Sequence, residues 1–224
     1  MTQALVIFDL DGTLFKTETV TVPAALRAMA ELGLPPVPPA RVISLIGEPS
    51  RAFYQKLIVE APSRNGVPEE LALRLEKLSE RYEGELAATQ GELYDGVPEL
   101  LESLSSLGLE LALCSNGGPD YCEAVLAALG LRRYFAQVLG FDPGRDKAQR
   151  VGDLVAESGR RPAIVVGDRH SDIAAAHSNG LPIIAVEYGY STDGELAEAD
   201  YKAARPADIV SQVIVWKKRL SEQQ

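Results

Sequence analysis

Four short apolar runs punctuate the chain: Ala4 to Phe8, Leu109 to Cys114, Ala163 to Val166 and Pro182 to Val186. Each is nearly continuous in apolar residues, and the first, Ala4 to Phe8, has β-branched and aromatic members. That is how a strand buried on both faces reads, and such strands belong to parallel sheets covered by helices. Between the runs lie stretches of helical period, Pro98 to Leu107, Tyr121 to Leu129, Lys147 to Ser158 and Ser171 to Asn179. Gly108 and Gly130 close the first two in the position of a helix stop. Strands alternating with helices of this length predict βαβ units and an α/β fold with a doubly wound, Rossmann-like parallel sheet.

Between Thr17 and Gln90 the pattern changes. No strand-like run comparable to the four above occurs there. Helical stretches fill it instead: Pro23 to Leu32, Ala40 to Ile46, Arg51 to Glu60 and Pro68 to Ala88. The connectors LPPVPPA and APSRNGVP separate them. In the last stretch Leu71, Leu75 and Leu78 form an apolar stripe, and Glu76, Lys77, Glu80 and Arg81 predict a solvated face. An all-helical block inserted after the first strand predicts a second, smaller domain of residues 17–90, with residues 1–16 plus 91–224 forming the α/β core.

The ends of the apolar runs share a chemistry. The first ends in Asp9-Leu10-Asp11-Gly12-Thr13, the second in Ser115-Asn116-Gly117-Gly118, and the third in Gly167-Asp168 with Asp172 one helical turn on. In a doubly wound sheet, ligands sit outside the C-terminal ends of the strands. Asp-Gly alone is an ordinary turn, but polar groups at the same end of three strands point to a site. Carboxylates at positions 9, 11, 168 and 172, with no His or Cys among them, favour a hard cation such as Mg²⁺, which takes substrate phosphate as a further ligand. Ser115, the backbone N–H groups of Asn116 to Gly118 and a lysine suit phosphate. The lysine candidate is Lys147, whose alternative reading is a solvated residue at a helix start.

Composition narrows the partners. Of 224 residues, 46 % are hydrophobic and 24 % charged, as in an ordinary soluble protein, and the formal net charge is -10. An acidic surface argues against nucleic acid and anionic membranes as partners, though a cation in a cleft can still attract an anionic substrate. Cys114 and Cys122 belong to no Cys-x-x-Cys pair or Cys/His cluster, and read as buried or free thiols in a reducing compartment. No stretch reaches membrane length and no signal segment opens the chain, so a cytoplasmic protein is expected.

DLDGT, a strand ending in SN, a lysine and then GDRHSD, in that order, resemble the haloacid dehalogenase superfamily of phosphatases. The likeness spans essentially the whole chain. GELYDGVPELLESLSSLGLELALCSNG and the tail AVEYGYSTDGELAEADYKAARPADIV are also similar to its phosphoglycolate phosphatase-like branch, which carries a helical cap after the first motif. The resemblance implies that Asp9 is a nucleophile forming an aspartyl-phosphate, and that Asp11 is the general acid and then the base. It implies that Ser115 and Lys147 hold the phosphoryl oxygens, with Thr13, Asn116 and Gly117 beside them. Asp168 would ligate Mg²⁺ with the Asp9 carboxylate and the Asp11 main-chain carbonyl, and Asp172 would support the ion or orient Lys147.

The sequence departs from many relatives at Lys16-Thr17, where Asp-Ser is common. Lys16 reads as a substrate contact or as a solvated hinge residue. In the cap, Arg51 of IGEPSR reads as a partner for a substrate carboxylate or phosphate, or as a surface arginine, while Glu48 would disfavour a highly anionic substrate. His170 reads as a loop residue near the site rather than a ligand, His177 as a half-exposed helix residue, and WKKRL as a helix end. The expected activity is a Mg²⁺-dependent phosphatase acting on a small phosphorylated metabolite, of the phosphoglycolate or sugar phosphate type, as a monomer or homodimer. Alternatives are a phosphosugar mutase of the same fold, and a phospho-accepting or binding protein.

Overall fold

A computed structural model describes residues 4–58, 69–159 and 162–222. Its centre is a six-stranded parallel sheet: β1 (Leu5–Phe8), β2 (Glu110–Cys114), β3 (Phe135–Leu139), β4 (Ala163–Gly167), β5 (Ile183–Val186) and β6 (Tyr201–Ala203), in the order β3-β2-β1-β4-β5-β6. β1, β4 and β5 are buried throughout, as expected of strands covered on both faces. Successive side chains of β1 point to opposite faces. Val6 and Phe8 join a cluster with α5 (Val97–Ser106), α6 (Pro119–Ala128) and α9 (Pro206–Glu222). Leu5 and Ile7 join another with α7 (Lys147–Ser158) and α8 (His170–Ser178). The sheet is therefore doubly wound.

The strands foreseen from the apolar runs are β1, β2, β4 and β5. β3 and β6 were not foreseen; both lie at sheet edges, where half-exposure dilutes the apolar signal. Trp216 of WKKRL is buried in the core, while Lys218 and Arg219 are exposed at the end of α9.

The inserted region is helical among its described residues: α1 (Glu18–Glu31), α2 (Pro39–Ile43), α3 (Ser50–Ile58) and α4 (Glu69–Gln90). Ala24, Ala28, Met29, Phe53, Leu57, Leu75 and neighbours give it an apolar core of its own. The connector APSRNGVP, Glu60 and Pro68 lie outside the described residues. Chain entry and exit are pinned side by side, with Lys16 N–H donating to Glu92 O (2.8 Å) and Tyr94 N–H to Leu14 O (3.2 Å).

One expectation is corrected here. Glu76 is buried and Glu80 half-buried, so only Lys77 and Arg81 of the foreseen solvated face are exposed. α4 packs on α1 and α3 on one side and on α6 of the core on another, so it has two covered faces rather than one.

Candidate active site

Strand register assembles the site. Phe8 stands beside Leu113 on β2 and Val166 on β4, so the residues that follow all emerge at the same edge. Asp9 is fixed there by its N–H donating to Val166 O (2.8 Å). The chain then turns at Gly12, whose φ of +80° suits glycine; a Cβ there would stand 2.3 Å from Asp168 Oδ2. Lys147 opens α7 behind a reciprocal cap, in which Gln149 N–H donates to Asp146 Oδ1 (2.8 Å) and Asp146 N–H to Gln149 Oε1 (2.9 Å).

Asp9, Asp168 and Asp172 are buried and bring ligand atoms within 4.8 Å of one another. Lys147 Nζ lies 2.6 Å from both Asp9 Oδ1 and Asp172 Oδ1. Burial alone would push the Lys147 ammonium down, but the carboxylates of Asp172 and Asp9 outweigh it and hold the ammonium well above its ordinary value. One ammonium does not balance the carboxylates. Burial, with the negative charges of Asp172, Asp168 and Asp11, raises the Asp9 carboxyl well above the usual range despite Lys147. Asp168 is pushed up to about 7 by burial and then by Asp172, with the Tyr190 amide opposing. Its Oδ2 accepts from Tyr190 N–H (2.6 Å), while its Oδ1 is buried with no hydrogen-bond partner. An orphaned carboxylate oxygen beside two further hard oxygen donors fits a divalent cation.

Asp11 faces another way. Its Oδ1 accepts from Thr17 Oγ1 (2.8 Å) and from the Tyr121 hydroxyl (2.5 Å), and its Oδ2 from Ser115 Oγ (3.1 Å). Its side chain is outside the carboxylate set with ligand spacing. Asn116 and Gly117 line the same cavity as Asp9, Asp11 and Lys147, and α6 begins directly after them. Thr13 is fully buried beneath the turn, and its hydroxyl has no partner.

Lys16 and Arg51 are not brought to the cavity. Lys16 pairs with Glu92 (3.2 Å); Arg51 pairs with Glu69 (2.9 Å) and Glu76 (3.3 Å). His170 is exposed, and His177 meets Asp200 at 3.1 Å on the surface. Both cysteines are free and buried.

Four contributors were not foreseen. Tyr121 reads in sequence as one apolar position of α6. Arg150 is fully buried; it donates to the carbonyls of Ser115 and Gly140 (the latter at 2.9 Å) and to Asn116 Oδ1 (2.7 Å). Its spacing three residues after Lys147, on the same helix face, was the available signal. Tyr190 supplies the amide to Asp168, and its hydroxyl meets Glu18 at the start of α1. Glu83, buried on α4, lines the cavity and accepts from Thr21 Oγ1 (2.7 Å).

A parallel sheet carrying carboxylates, a hydroxyl and a lysine at its C-terminal edge beneath a helical insertion defines a class of hydrolase, and the comparisons with known proteins place the chain within it. The model of the haloacid dehalogenase-like hydrolases matches residues 6–186. Phosphoglycolate phosphatase of Escherichia coli (strain K12) is 32% identical, covering 83% of this chain and 82% of its own. A crystal structure described as a predicted phosphoglycolate phosphatase from Haemophilus somnus 129pt superposes with a TM-score of 0.85 at 26% identity, covering 95% of this chain and 99% of that one. CbbY from Rhodobacter sphaeroides, in complex with phosphate, shares the fold at 22% identity and a TM-score of 0.76, over 93% and 96% of the two chains. The chain belongs to the haloacid dehalogenase-like hydrolases. The expectation of a phosphatase is carried by these matches together with the buried carboxylate set. Among the described residues no helix is long and apolar enough to cross a membrane.

Proposed function

We propose that this protein is a Mg²⁺-dependent phosphatase of small phosphate monoesters, working through an aspartyl-phosphate on Asp9. The observation that carries the reading is the contact of Asp9 with Lys147 inside the Asp9, Asp168, Asp172 carboxylate set, at the floor of a cavity roofed by the inserted helices. In the first step an Asp9 oxygen attacks phosphorus, the ester P–O bond breaks, and Asp11 gives its proton to the departing oxygen. In the second, Asp11 takes a proton from water as that water's oxygen attacks the phosphorus of the acyl phosphate, releasing phosphate and regenerating the Asp9 carboxylate.

Ser115, the amides of Asn116 and Gly117 and the Lys147 ammonium hold the transferred phosphoryl oxygens. Thr17, Tyr121 and Ser115 aim the Asp11 carboxyl. Asp9, Asp168 and the Asp11 carbonyl would hold the cation, with Asp172 in support; when bound it neutralises phosphate charge. Residues 17–90 act as the cap and residues 1–16 plus 91–224 as the catalytic core. The reading also includes a cytoplasmic location, as a monomer or homodimer, consistent with two free thiols and a net charge of -10.

The mutase alternative requires a sugar carrying two phosphates during turnover. Phosphate at the cap end would need a cation, and the cap lining of the cavity offers Glu48, Glu80 and Glu83 instead. The test is phosphate release from p-nitrophenyl phosphate with Mg²⁺ and with EDTA, for the wild type and Asp9→Asn. Turnover that requires both the metal and Asp9 is expected. Undiminished metal-dependent turnover by Asp9→Asn overturns the nucleophile assignment.

A further inference from the structure

The cavity above the catalytic carboxylates has an empty volume of about 570 Å³, counting space open to solvent, and two unlike ends. At the core end, Lys147 and the Asn116–Gly117 backbone are suited to phosphate. At the cap end, Glu80 and Glu83 project from one face of α4, among Thr21, Ser50, Phe53 and Tyr54. Three residues apart on a helix, the two glutamates are neighbours.

Three cations near this end are already engaged, while Lys77, three residues before Glu80 on α4, is exposed. Arg51 pairs with Glu69 and Glu76, and Lys56 with Glu48 (2.5 Å). Arg169, which lines the cavity, donates to Glu195 (2.8 Å) and to Ile46 O (2.5 Å). Glu80 lacks this kind of partner: no hydrogen bond or ion pair engages its carboxylate among the described residues. It lies against the phosphate-side loop instead, where a Cβ on Gly118 would stand 2.5 Å from Glu80 Oε1.

The cap carboxylates do not assemble a second metal site. Among the described residues the set with ligand spacing is Asp9, Asp168 and Asp172 alone. What the cap end presents is two carboxyl groups beside an edge-to-face aromatic pair, Phe53 and Tyr54, with centroids 4.9 Å apart. Carboxylates flanked by aromatic rings are a chemistry for holding an ammonium group. In their ionised forms they repel a second anion.

We infer that the substrate is a phosphate monoester whose leaving group carries an amine, held as its ammonium by Glu80 and Glu83, and not a carboxylate. This rests on the phosphatase reading above and sharpens it, because phosphoglycolate, the compound in the names of the relatives, ends in a carboxylate that would meet these two side chains. Burial raises Glu80 to about 7 and Glu83 to about 8, and a bound cation would favour their ionised forms.

Three nearly isosteric substrates decide the matter: 2-aminoethyl phosphate, 2-hydroxyethyl phosphate and 2-phosphoglycolate, which differ only in their terminal group. The wild type is expected to show kcat/KM for the amine at least about tenfold above either of the others, the scale of one charge-assisted hydrogen bond. Glu80→Gln and Glu83→Gln are each expected to shrink the amine-to-hydroxyl ratio several-fold; a ratio cancels any general loss of activity or folded fraction. Equal rates for the amine and the alcohol, a preference for phosphoglycolate, or a ratio unchanged in both variants overturns the inference. p-Nitrophenyl phosphate separates the two levels. If neither it nor any of the three esters is hydrolysed with Mg²⁺, the phosphatase reading fails and the inference with it; if phosphate esters are hydrolysed while the amine is not preferred, the inference alone fails.

Discussion

Arg150 leads the fully buried side chains in size, and it meets no carboxylate among the described residues. Its guanidinium is spent on main chain and amide: the Ser115 and Gly140 carbonyls and Asn116 Oδ1. These groups bound the loop that carries Ser115 and the Asn116 and Gly117 amides, so Arg150 works as the strut of that loop. Replacing it by Met keeps much of the volume and removes every donor. Three hydrogen bonds from a charged donor, at the low value of about 1.5 kcal/mol each, give a gross loss of roughly 4–5 kcal/mol. Relief from burying a guanidinium returns part of this, so a net loss of about 2–4 kcal/mol is expected. Arg150→Lys should fall between Met and wild type, because an ammonium cannot reproduce the fork. Urea unfolding measures the stability, and steady-state turnover of p-nitrophenyl phosphate measures the loop. A shift of the Ser115 hydroxyl and its neighbouring amides should lower kcat by up to about 100-fold. If Arg150→Met unfolds within ~0.5 kcal/mol of the wild type and keeps its kcat, the loop is held by something else and the reasoning is wrong.

Tyr121→Phe keeps the packed ring and deletes one of the three hydroxyls on Asp11; kcat should drop about tenfold with KM little changed, and a change confined to KM would contradict the role assigned. Burial lifts the Glu83 carboxyl from 4.5 to about 8, so between those pH values the folded chain keeps a proton the unfolded chain has released, and stability falls as pH rises. Glu83→Gln should therefore gain urea midpoint over the wild type at pH 8 and lose that advantage near pH 4.5; a constant offset would refute the titration. Millimolar Mg²⁺ should raise the thermal midpoint of the wild type, by the equivalent of about 1.4 kcal/mol at tenfold over its Kd. Asp168→Asn should abolish that rise, and an undiminished rise would remove Asp168 from the ion's ligands.

Residues whose role depends on position along one strand end or one helix start were legible in the sequence. Asp9, Ser115 and Asp168 follow apolar runs whose burial predicts a parallel sheet, and its register does the rest. Lys147 follows an Asp with Gln three residues on, a local capping signal. What escaped depends on contacts between distant segments. Tyr121 looks like any apolar helix position until the fold brings Asp11 to its hydroxyl. Glu76, Glu80 and Glu83 have the spacing of a solvated helix face, and only the packing of α4 on both the cap and α6 turns that face inward. β3 and β6 sit at the edges, where an apolar run is neither long nor required.

The pinned entry and exit of the inserted helices also bear on how the chain folds. β1 is made first, yet its neighbours β2 and β4 lie about 100 and 160 residues further along. Bringing β1 to β2 means closing a loop that contains the whole insertion. The inserted helices have their own apolar core, and when they fold, Lys16 and Leu14 come to lie against Glu92 and Tyr94. The loop left to close then shrinks from about 100 residues to a few tens, a saving of about 1 kcal/mol in closure entropy. The roof of the cavity is thereby a splint for its floor: once folded, it holds the strand of Asp9 close to the chain that leads to β2.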